Sequence, residues 1–347
     1  MRLAIDLEGG DHSPVPQARG ALAALQEDPE LTLILVGAER HALHIGALQQ
    51  NVHDDVAERL KIIIAPEIVP KDVTDDASIS TFARNKKTTM HVATSLVANG
   101  DADAVLTSGN TAGLVAISTT RFGRLSKDVL AALMVRLPSK NGHDVIFLDV
   151  GANPNTSPEQ LAWNAQWGSI CARHLYNLPN PHVRLLSNGE EPGKGGDRVQ
   201  EAHDILKTMA VNDRGNVEPD HLFSGKIGSE DVHVVAVDGF TGNASLKSLA
   251  TGMKSVQDLV KTHIDAMPFY MRWPMQVLLL PLLPTFRRVR ANVQAKVGSA
   301  MVLGVNGLAF KVHGNADAAH VKAGILSAHK LAKTSILDEL RKLHGTP

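Results

Sequence analysis

The sequence predicts an α/β protein with a mainly parallel sheet that helices cover on both faces. Short runs rich in Val, Ile and Leu alternate with longer segments of helical spacing, and such runs are typical of parallel strands buried on both faces. With 347 residues, the chain is long enough to bury a large core. We therefore expect a single unit over 1–347, either one α/β body or two interlocked lobes.

The elements follow from this pattern in chain order. Seven strands are predicted, at 2–7, 31–36, 60–65, 103–107, 144–150, 183–187 and 232–237. The segments between them have helical spacing, as at 157–176 and 197–210, and the final stretch, 316–342, is predicted to be one long helix with a polar face.

Composition excludes several classes of function. The formal net charge is −1, so the chain has no overall basic field for nucleic acid. A lone cysteine, Cys171, excludes a disulfide framework and a multi-cysteine metal site, and we expect it to be a small buried residue. The N-terminus enters a strand directly, without the apolar core of a signal peptide. These features predict a cytoplasmic protein.

Small and polar residues follow five of the strands, at 8–12, 108–111, 149–153, 187–190 and 238–243. Ligands of open α/β sheets bind beyond the carboxyl ends of the strands, so these loops predict one shared site. Such residues also mark turns and cap helices, and that alternative stays open for each loop.

The loop 188–196, NGEEPGKGG, raises the question of a nucleotide site. A P-loop needs four residues between its first glycine and the Gly-Lys pair, followed by Ser or Thr. Here three residues separate Gly189 from Gly193, and Gly195 follows Lys194. The spacing excludes a P-loop, and Lys194 is better suited to a single phosphate or oxyanion held without magnesium.

Six short segments, in order, carry a resemblance to a known family. They are GGDH (9–12), SGNTAGL (108–114), LDVGANPN (148–155), NGEEPGKG (188–195), VDGFTGNASLK (237–247) and GVNGLAFKVHG (304–314). With these motifs the chain resembles the PlsX family of phosphate acyltransferases.

The resemblance implies transfer of a long acyl chain from acyl carrier protein to inorganic phosphate for phospholipid synthesis, without a cofactor. It also implies a homodimer, a downstream membrane glycerol-3-phosphate acyltransferase as user of the acyl phosphate, and a fold similar to the phosphotransacetylases and the isocitrate/isopropylmalate dehydrogenases.

This chemistry suggests roles for the loop residues. Holding phosphate against a thioester and stabilising the oxyanion are its main requirements. Lys194 is the candidate cation and Asn243 the candidate donor to the acyl carbonyl, although the first could be a solvated lysine and the second a helix cap. His12 and His313 are candidate proton donors to the departing sulfur. The candidate phosphate-binding or orienting residues are Asp11, Ser108, Gly109, Asn110, Gly151, Asn153, Asn188 and Asp238.

No metal is expected, because the loop Asp and His residues lack a known ligand spacing. Dinucleotide binding also lacks support, since no GxGxxG follows the first strand. Two rival functions stay open beside acyl transfer to phosphate. One is a phosphotransacetylase that uses short acyl-coenzyme A, and the other is a membrane-associated scaffold that binds acyl carrier protein without turnover.

Two further surfaces have candidate partners. Arg84, Lys86 and Lys87 cluster at a predicted helix start and would attract an acidic acyl carrier protein, unless they form only a solvated face. Residues 241–300 are predicted to form a helical hairpin with an apolar tip at about 267–286.

The tip residues Phe269, Trp273, Leu279 and Leu282 predict peripheral membrane contact, because prolines and an arginine interrupt any spanning helix. Packing across a dimer interface is the alternative for them.

Overall fold

The computed structural model of the chain describes residues 1–42, 54–67, 79, 82–140, 142–268, 270 and 299–345. Its strands are β1 (Arg2–Asp6), β2 (Thr32–Ala38), β3 (Leu60–Ala65), β4 (Ala104–Thr107), β5 (Ala132–Leu137), β6 (Val145–Leu148), β7 (His182–Leu186), β8 (Asn212–Val217), β9 (Lys226–Ile227), β10 (Glu230–Asp231), β11 (Val234–Ala236), β12 (Ser299–Leu303) and β13 (Ala309–Val312). All seven predicted strands are confirmed, as β1 to β4, β6, β7 and β11.

Helices separate most of these strands. They are α1 (Val15–Glu27), α2 (Asp54–Ala57), α3 (Thr89–Ala98), α4 (Thr111–Phe122), α5 (Pro158–Tyr176), α6 (Gly196–Leu206), α7 (His221–Ser224), α8 (Gly239–Ala266), α9 (Ala318–Ala332) and α10 (Ile336–Leu343). The predicted helices at 157–176 and 197–210 correspond to α5 and α6.

One eleven-stranded sheet organises the molecule, in the order β3-β2-β1-β4-β13-β12-β5-β6-β11-β7-β8. The first five strands of this order pair in parallel, and so do β6, β11, β7 and β8. Antiparallel pairing of β13 with β12, β12 with β5 and β5 with β6 joins the two parallel blocks. Three successive reversals leave the two blocks running in opposite directions, so their carboxyl ends lie at opposite edges.

Helices cover both faces of the sheet, as predicted. On one face, side chains such as Leu3, Trp167 and Ile325 form a core under α1, α5, α6 and α9. On the other face, Val105 and Phe147 belong to a second core under α3, α4 and α8. Burial of both faces explains why the strands are apolar along their whole length.

The C-terminal region differs from the prediction of one helix over 316–342. Helix α9 ends at Ala332, and α10 begins only at Ile336. Between them, the Thr334 hydroxyl donates to the carbonyl of Leu331, a local bond that competes with continued helix. The break lets α10 pack across α5, where Glu339 pairs with His174 at 2.7 Å.

The predicted hairpin over 241–300 is described only in part. Of the two arms expected at 241–265 and 287–300, the first lies within α8, a helix of 28 residues. Ser299 and Ala300, at the end of the second, instead begin strand β12 and pair with β5 and β13. The tip residues Phe269, Trp273, Leu279 and Leu282 lie outside the described residues. Among the described helices, none is long and apolar enough to cross a membrane.

Cys171 lies in α5 and is fully buried, as predicted. Burial raises the pKa of its thiol to about 12, so the reactive thiolate is strongly disfavoured.

Candidate functional site

The loops singled out in the sequence form two clusters. The first cluster consists of 7–12, 107–110 and 311–314, at the carboxyl ends of β1, β4 and β13. The second cluster consists of 149–153, 187–198 and 238–243, at the carboxyl ends of β6, β7 and β11. Because the two blocks of strands run in opposite directions, the expectation that all five loops meet at one edge is wrong for a single chain.

The first cluster is closely packed around Asp6, which is fully buried. The Thr107 hydroxyl donates to the Asp6 carboxylate at 2.7 Å and accepts from the Gly109 backbone N–H at 2.9 Å. A side chain at Gly9 would lie 2.5 Å from the Gly109 nitrogen, so only glycine permits this approach. The Gly109 N–H is therefore already hydrogen-bonded within the fold.

Two other residues of the first cluster are also engaged internally. The Gln17 side-chain amide of α1 donates to the Ser108 hydroxyl at 2.8 Å, and both side chains are buried. The Asn110 side chain accepts from the Gly113 N–H at 2.9 Å and so caps α4. The capping alternative that the sequence left open is thus present at Asn110.

Sequence reasoning missed Lys311, which reaches the first cluster from β13. Its ammonium donates to the Val312 carbonyl at 3.1 Å. Burial lowers the pKa of Lys311 to about 8, and the negative charge of Asp11 opposes that shift. Asp11 is itself held by its backbone N–H, which donates to the Gly314 carbonyl at 2.7 Å. The one signal in the sequence was a lysine inside an otherwise apolar strand, AFKV.

The two predicted histidines, His12 and His313, are both exposed. Partial desolvation nevertheless lowers the pKa of His313, and the positive charge of Lys311 and, more weakly, those of His320 and Lys247 lower it further, against the negative charge of Asp11. The neutral imidazole is thereby favoured, which fits a proton acceptor better than a donor. Lys247 lies on α8, so this helix brings a cation of the second block into electrostatic range of the first cluster.

The second cluster is built around Asp149, a fully buried residue that sequence reasoning also missed. Its carboxylate accepts the backbone N–H groups of Leu133, Gly151, Ala152 and Asn153 at 2.9, 3.0, 2.8 and 2.7 Å. Burial raises the pKa of Asp149, while these four donors oppose the rise. The motif LDVGANPN contained the signal, an acid followed directly by a loop that can fold back over it.

This arrangement changes the interpretation of two candidate phosphate donors. The Gly151 N–H is bound to Asp149, and the side-chain amide of Asn153 donates to the Ala131 carbonyl. Both groups hold the loop in shape, so the Gly151 N–H and one of the two N–H groups of the Asn153 amide are committed to the fold.

Helix α8 approaches this loop unusually closely. Asp238 caps the helix by accepting from the Thr241 N–H at 2.9 Å. A side chain at Gly242 would lie 1.9 Å from the Asp149 carbonyl oxygen, so glycine is required there. Asn243 follows on the same turn, and its Cβ lies 3.4 Å from where a Cβ on Gly151 would stand. Among the described residues, the Asn243 amide has no hydrogen-bond partner.

The loop with Lys194 lies at the same edge. Asn188 closes it, because its side-chain oxygen accepts from the Gly195 N–H at 3.2 Å. Lys194 packs its stem over Gly189 and leaves its ammonium exposed, without an ion pair in the described parts of the chain. Glu190, which could have neutralised Lys194, instead pairs with His221 at 2.7 Å.

An ion pair joins the Lys194 loop to the start of α8. Arg198, in the first turn of α6, contacts the Asp238 carboxylate at 2.8 Å, and Asp238 caps α8. The N-terminal ends of α6 and α8 are thereby held together. Both present backbone N–H groups and partial positive charge at one edge, beside Lys194 and Asn243.

The basic segment predicted to bind a carrier is exposed at Arg84, Lys86 and Lys87. It does not begin a helix as predicted, because α3 begins at Thr89 after the cap Thr88. Asn85 fixes the segment by donating to Glu67 at 2.9 Å and accepting from the Lys87 N–H at 2.8 Å.

Within the described ranges, one group of three potential metal ligands comprises Asp28, Glu30 and His329 at the C-terminal end of α1. Lys333 already pairs with Glu30 there. The group belongs to neither cluster, so we assign it no part in the site.

Comparisons with known proteins agree with the resemblance in the motifs. A family model described as "Fatty acid synthesis protein" matches residues 1–338. A phosphate acyltransferase from Coxiella burnetii (strain Dugway 5J108-111) is 34% identical over 317 residues, which cover 91% of this chain and 88% of the relative.

Solved structures extend the likeness at the level of fold. A phosphotransacetylase from Streptococcus pyogenes matches with a TM-score of 0.56 at 14% identity, over 95% of this chain and 94% of its own. A putative 4-hydroxythreonine-4-phosphate dehydrogenase from Salmonella typhimurium matches with a TM-score of 0.52 at 15% identity, over 95% of this chain and 99% of its own. At these identities the match shows the fold alone.

Proposed function

The chain belongs to the fatty acid synthesis protein family and transfers an acyl group to phosphate, and we propose that its donor is a long-chain acyl thioester of acyl carrier protein. The product is then acyl phosphate for phospholipid synthesis. We place the reaction at the second cluster.

The observation that supports this placement is the ion pair between Arg198 and Asp238, 2.8 Å long. It fixes the starts of α6 and α8 side by side, with Lys194 and Asn243 at the same edge. An anionic substrate and a developing oxyanion both need donors at a helix N-terminus and a nearby cation. The second cluster offers both kinds of group without a metal.

The proposed mechanism requires little general acid–base catalysis by the protein. A phosphate oxygen attacks the thioester carbonyl carbon, the carbonyl oxygen becomes an oxyanion, and the C–S bond then breaks to release the carrier thiolate. Asn243 donates to the carbonyl oxygen as it becomes negative, and Lys194 holds the phosphate as a point charge. The main contributions are therefore positioning and electrostatic stabilisation.

We propose a supporting role for the first cluster. Lys311, His313 and, through α8, Lys247 form a group of bases and cations near Asp11. The two histidines lie at the edge of the sheet opposite the second cluster, so His12 or His313 can exchange a proton with phosphate or with the departing sulfur only where a second copy of this chain brings its first cluster to that site. Ser108, Gly109 and Asn110 shape the backbone beneath them, since their polar groups take part in internal hydrogen bonds.

Partners follow from two exposed surfaces. Arg84, Lys86 and Lys87 offer an acidic carrier a local positive face. Helix α8 exposes Val256 and Leu259 by 62% and 59%, and exposed apolar groups on a long helix favour pairing with a second copy of this chain. A homodimer at the cytoplasmic face of the membrane would release acyl phosphate close to a membrane glycerol-3-phosphate acyltransferase.

The experiment supplies a long-chain acyl carrier protein and phosphate, and traps acyl phosphate with hydroxylamine. The proposal expects phosphate-dependent hydroxamate from this donor and much less from acetyl-coenzyme A. Turnover with acetyl-coenzyme A alone would identify a phosphotransacetylase. Retained carrier binding without turnover of either donor would identify a scaffold.

A further inference from the structure

An apolar cavity of about 650 Å³ lies between α8, α7 and one face of the sheet. Leu137 of β5 and Phe147 of β6 form its floor, both fully buried, and Leu222 of α7 forms one wall. Leu246 and Leu249 of α8, both half-buried, line the opposite side, and the exposed residues of α8 leave the cavity open to solvent. The described residues that line it carry no charge, so it suits an uncharged apolar ligand.

One stripe of α8 borders the cavity with small side chains. Thr241, Ser245, Ser248 and Gly252 line it and recur every three or four residues, the spacing of one helix face. From the first to the last of them, the helix rises by about 16 Å. The open space therefore follows the helix axis for three turns.

Gly252 is the informative member of this stripe. Glycine inside a helix costs roughly 0.5–1 kcal/mol relative to alanine, and it usually permits a close approach of backbone. Among the described residues, no atom lies within 4 Å of where a Cβ on Gly252 would stand. No packing contact in the described structure requires glycine there, so its effect is to leave the end of the cavity open.

The cavity begins at the second cluster. Phe240 and Thr241 line its near end, and they belong to the same helical turn as Asn243. Phe240 is 70% exposed, which places its ring at the entrance rather than in the core. A ligand whose reactive end lies at Asn243 can therefore extend its tail along α8.

We propose that this cavity holds the alkyl chain of the acyl donor and that Gly252, by leaving the far end open, admits the longest chains. The inference rests on the proposed function, which supplies an acyl group at Asn243. The volume lies within the range of about 300–1,000 Å³ typical of small-molecule sites. An alkyl chain is the one apolar part of the reactants, and burying it gains free energy for each methylene removed from water.

The experiment measures acyl phosphate formation with acyl donors of increasing chain length. It compares the parent, Gly252→Phe and the control Thr251→Phe, which places the same ring on the neighbouring exposed residue outside the cavity. We expect Gly252→Phe to lose roughly tenfold or more of kcat/KM with the longest donors and to keep the parental rate with short ones. Thr251→Phe should match the parent throughout.

An unchanged chain-length profile in folded Gly252→Phe would overturn the inference, as would an equal loss with all donors. Loss of self-association with an unchanged profile would assign the cavity to a second copy of this chain. If Gly252→Phe fails to fold, Ser248→Leu, one turn earlier in the cavity, should show the same selective loss.

A binding measurement separates this inference from the proposed function. A fluorescent long-chain fatty acid should bind the parent and Thr251→Phe, and bind Gly252→Phe at least about tenfold more weakly. Equal binding to all three proteins would overturn the cavity assignment even if acyl phosphate forms. If the fatty acid binds the parent and Thr251→Phe more tightly than Gly252→Phe but the parent turns over no acyl donor, the proposed function is wrong and the cavity is still an alkyl-binding site.

Discussion

The two loop clusters are made of similar residues, yet their polar groups have different uses. In the first cluster, Thr107, Ser108 and Gly109 are bound to Asp6, Gln17 and one another. In the second cluster, the backbone of the Asp149 loop is bound internally in the same way. There, however, Lys194 and Asn243 stand beyond this network, at the joined ends of two helices.

This difference shows that Gly, Asn and Asp in a loop motif serve two purposes. Most of them shape the backbone, and a few project into the space that this shaping creates. Catalytic roles therefore fall to the residues that the internal network leaves uncommitted. Substitutions at residues of each kind test that division.

Replacing Asn243 should have the largest effect on rate. Asn243→Ala removes the donor proposed to stabilise the oxyanion, and loss of one such donor lowers kcat by about 100- to 1,000-fold. Hydroxylamine trapping measures the rate, and circular dichroism should show an intact fold. Asn99→Ala, an exposed asparagine at the end of α3, is the control and should keep the parental rate. A parental rate for Asn243→Ala would remove this residue from the mechanism.

Replacing Gly242 should lower stability rather than alter chemistry alone. A Cβ there would lie 1.9 Å from the Asp149 carbonyl oxygen, so α8 must move. Gly242→Ala should therefore lower the free energy of unfolding by about 1–3 kcal/mol in urea titrations. Gly252→Ala, on the same helix and with no atom of the described residues within 4 Å of its Cβ, should instead be neutral or stabilising by up to about 1 kcal/mol. Equal effects of the two changes would show that α8 does not closely approach the Asp149 loop.

Reversing the basic segment should have a moderate effect that depends on salt. Changing Arg84, Lys86 and Lys87 together to Glu should lower kcat/KM for acyl carrier protein by about tenfold at low ionic strength. The difference in kcat/KM between the variant and the parent should narrow as the salt concentration rises, because salt screens exposed charges. Parental kcat/KM at low salt would mean that these charges form only a solvated face.

Lys311, the half-buried lysine of the first cluster, should produce a small effect that depends on pH. The folded-state pKa of Lys311 is lowered from 10.5 to about 8, so between these values the unfolded chain binds more protons. Stability of the parent should therefore rise with pH through this window, relative to Lys311→Met. Urea titrations of both proteins from pH 7 to pH 10 measure the difference. If the free energies of unfolding of the two proteins changed in parallel with pH, folding would not lower the pKa of Lys311.

Much of the fold could be predicted from the sequence, because each parallel strand is a compact apolar run. The seven predicted strands were of this kind. The strands that were missed include β12 and β13, each five residues or fewer, which run antiparallel to each other in the sheet. Their direction depends on pairing partners distant in sequence, which no local pattern encodes. The reversal they introduce is what separates the two clusters.

The sequence indicated which motifs form the candidate site, but it did not indicate which of their residues shape the loops and which are free to contact a ligand. Lys194, Asn243 and Asp238 were found because they follow strands, and Asp238 and Asn110 are indeed helix caps. Asp149 and Arg198 were missed because their importance lies in contacts across the fold. The sequence alone does not distinguish Asp149, whose buried carboxylate accepts four hydrogen bonds, from any other acidic residue before a turn.

In the proposed mechanism, phosphate lies beside the exposed cation of Lys194 in the second cluster. The rate of acyl phosphate formation in Lys194→Ala is the decisive test of that placement. Lys207→Ala, an exposed lysine just after α6, is the matched control. The account predicts a loss on the order of 100-fold for Lys194→Ala, an unchanged unfolding midpoint and a parental rate for Lys207→Ala. A folded Lys194→Ala that forms acyl phosphate at the parental rate would contradict it.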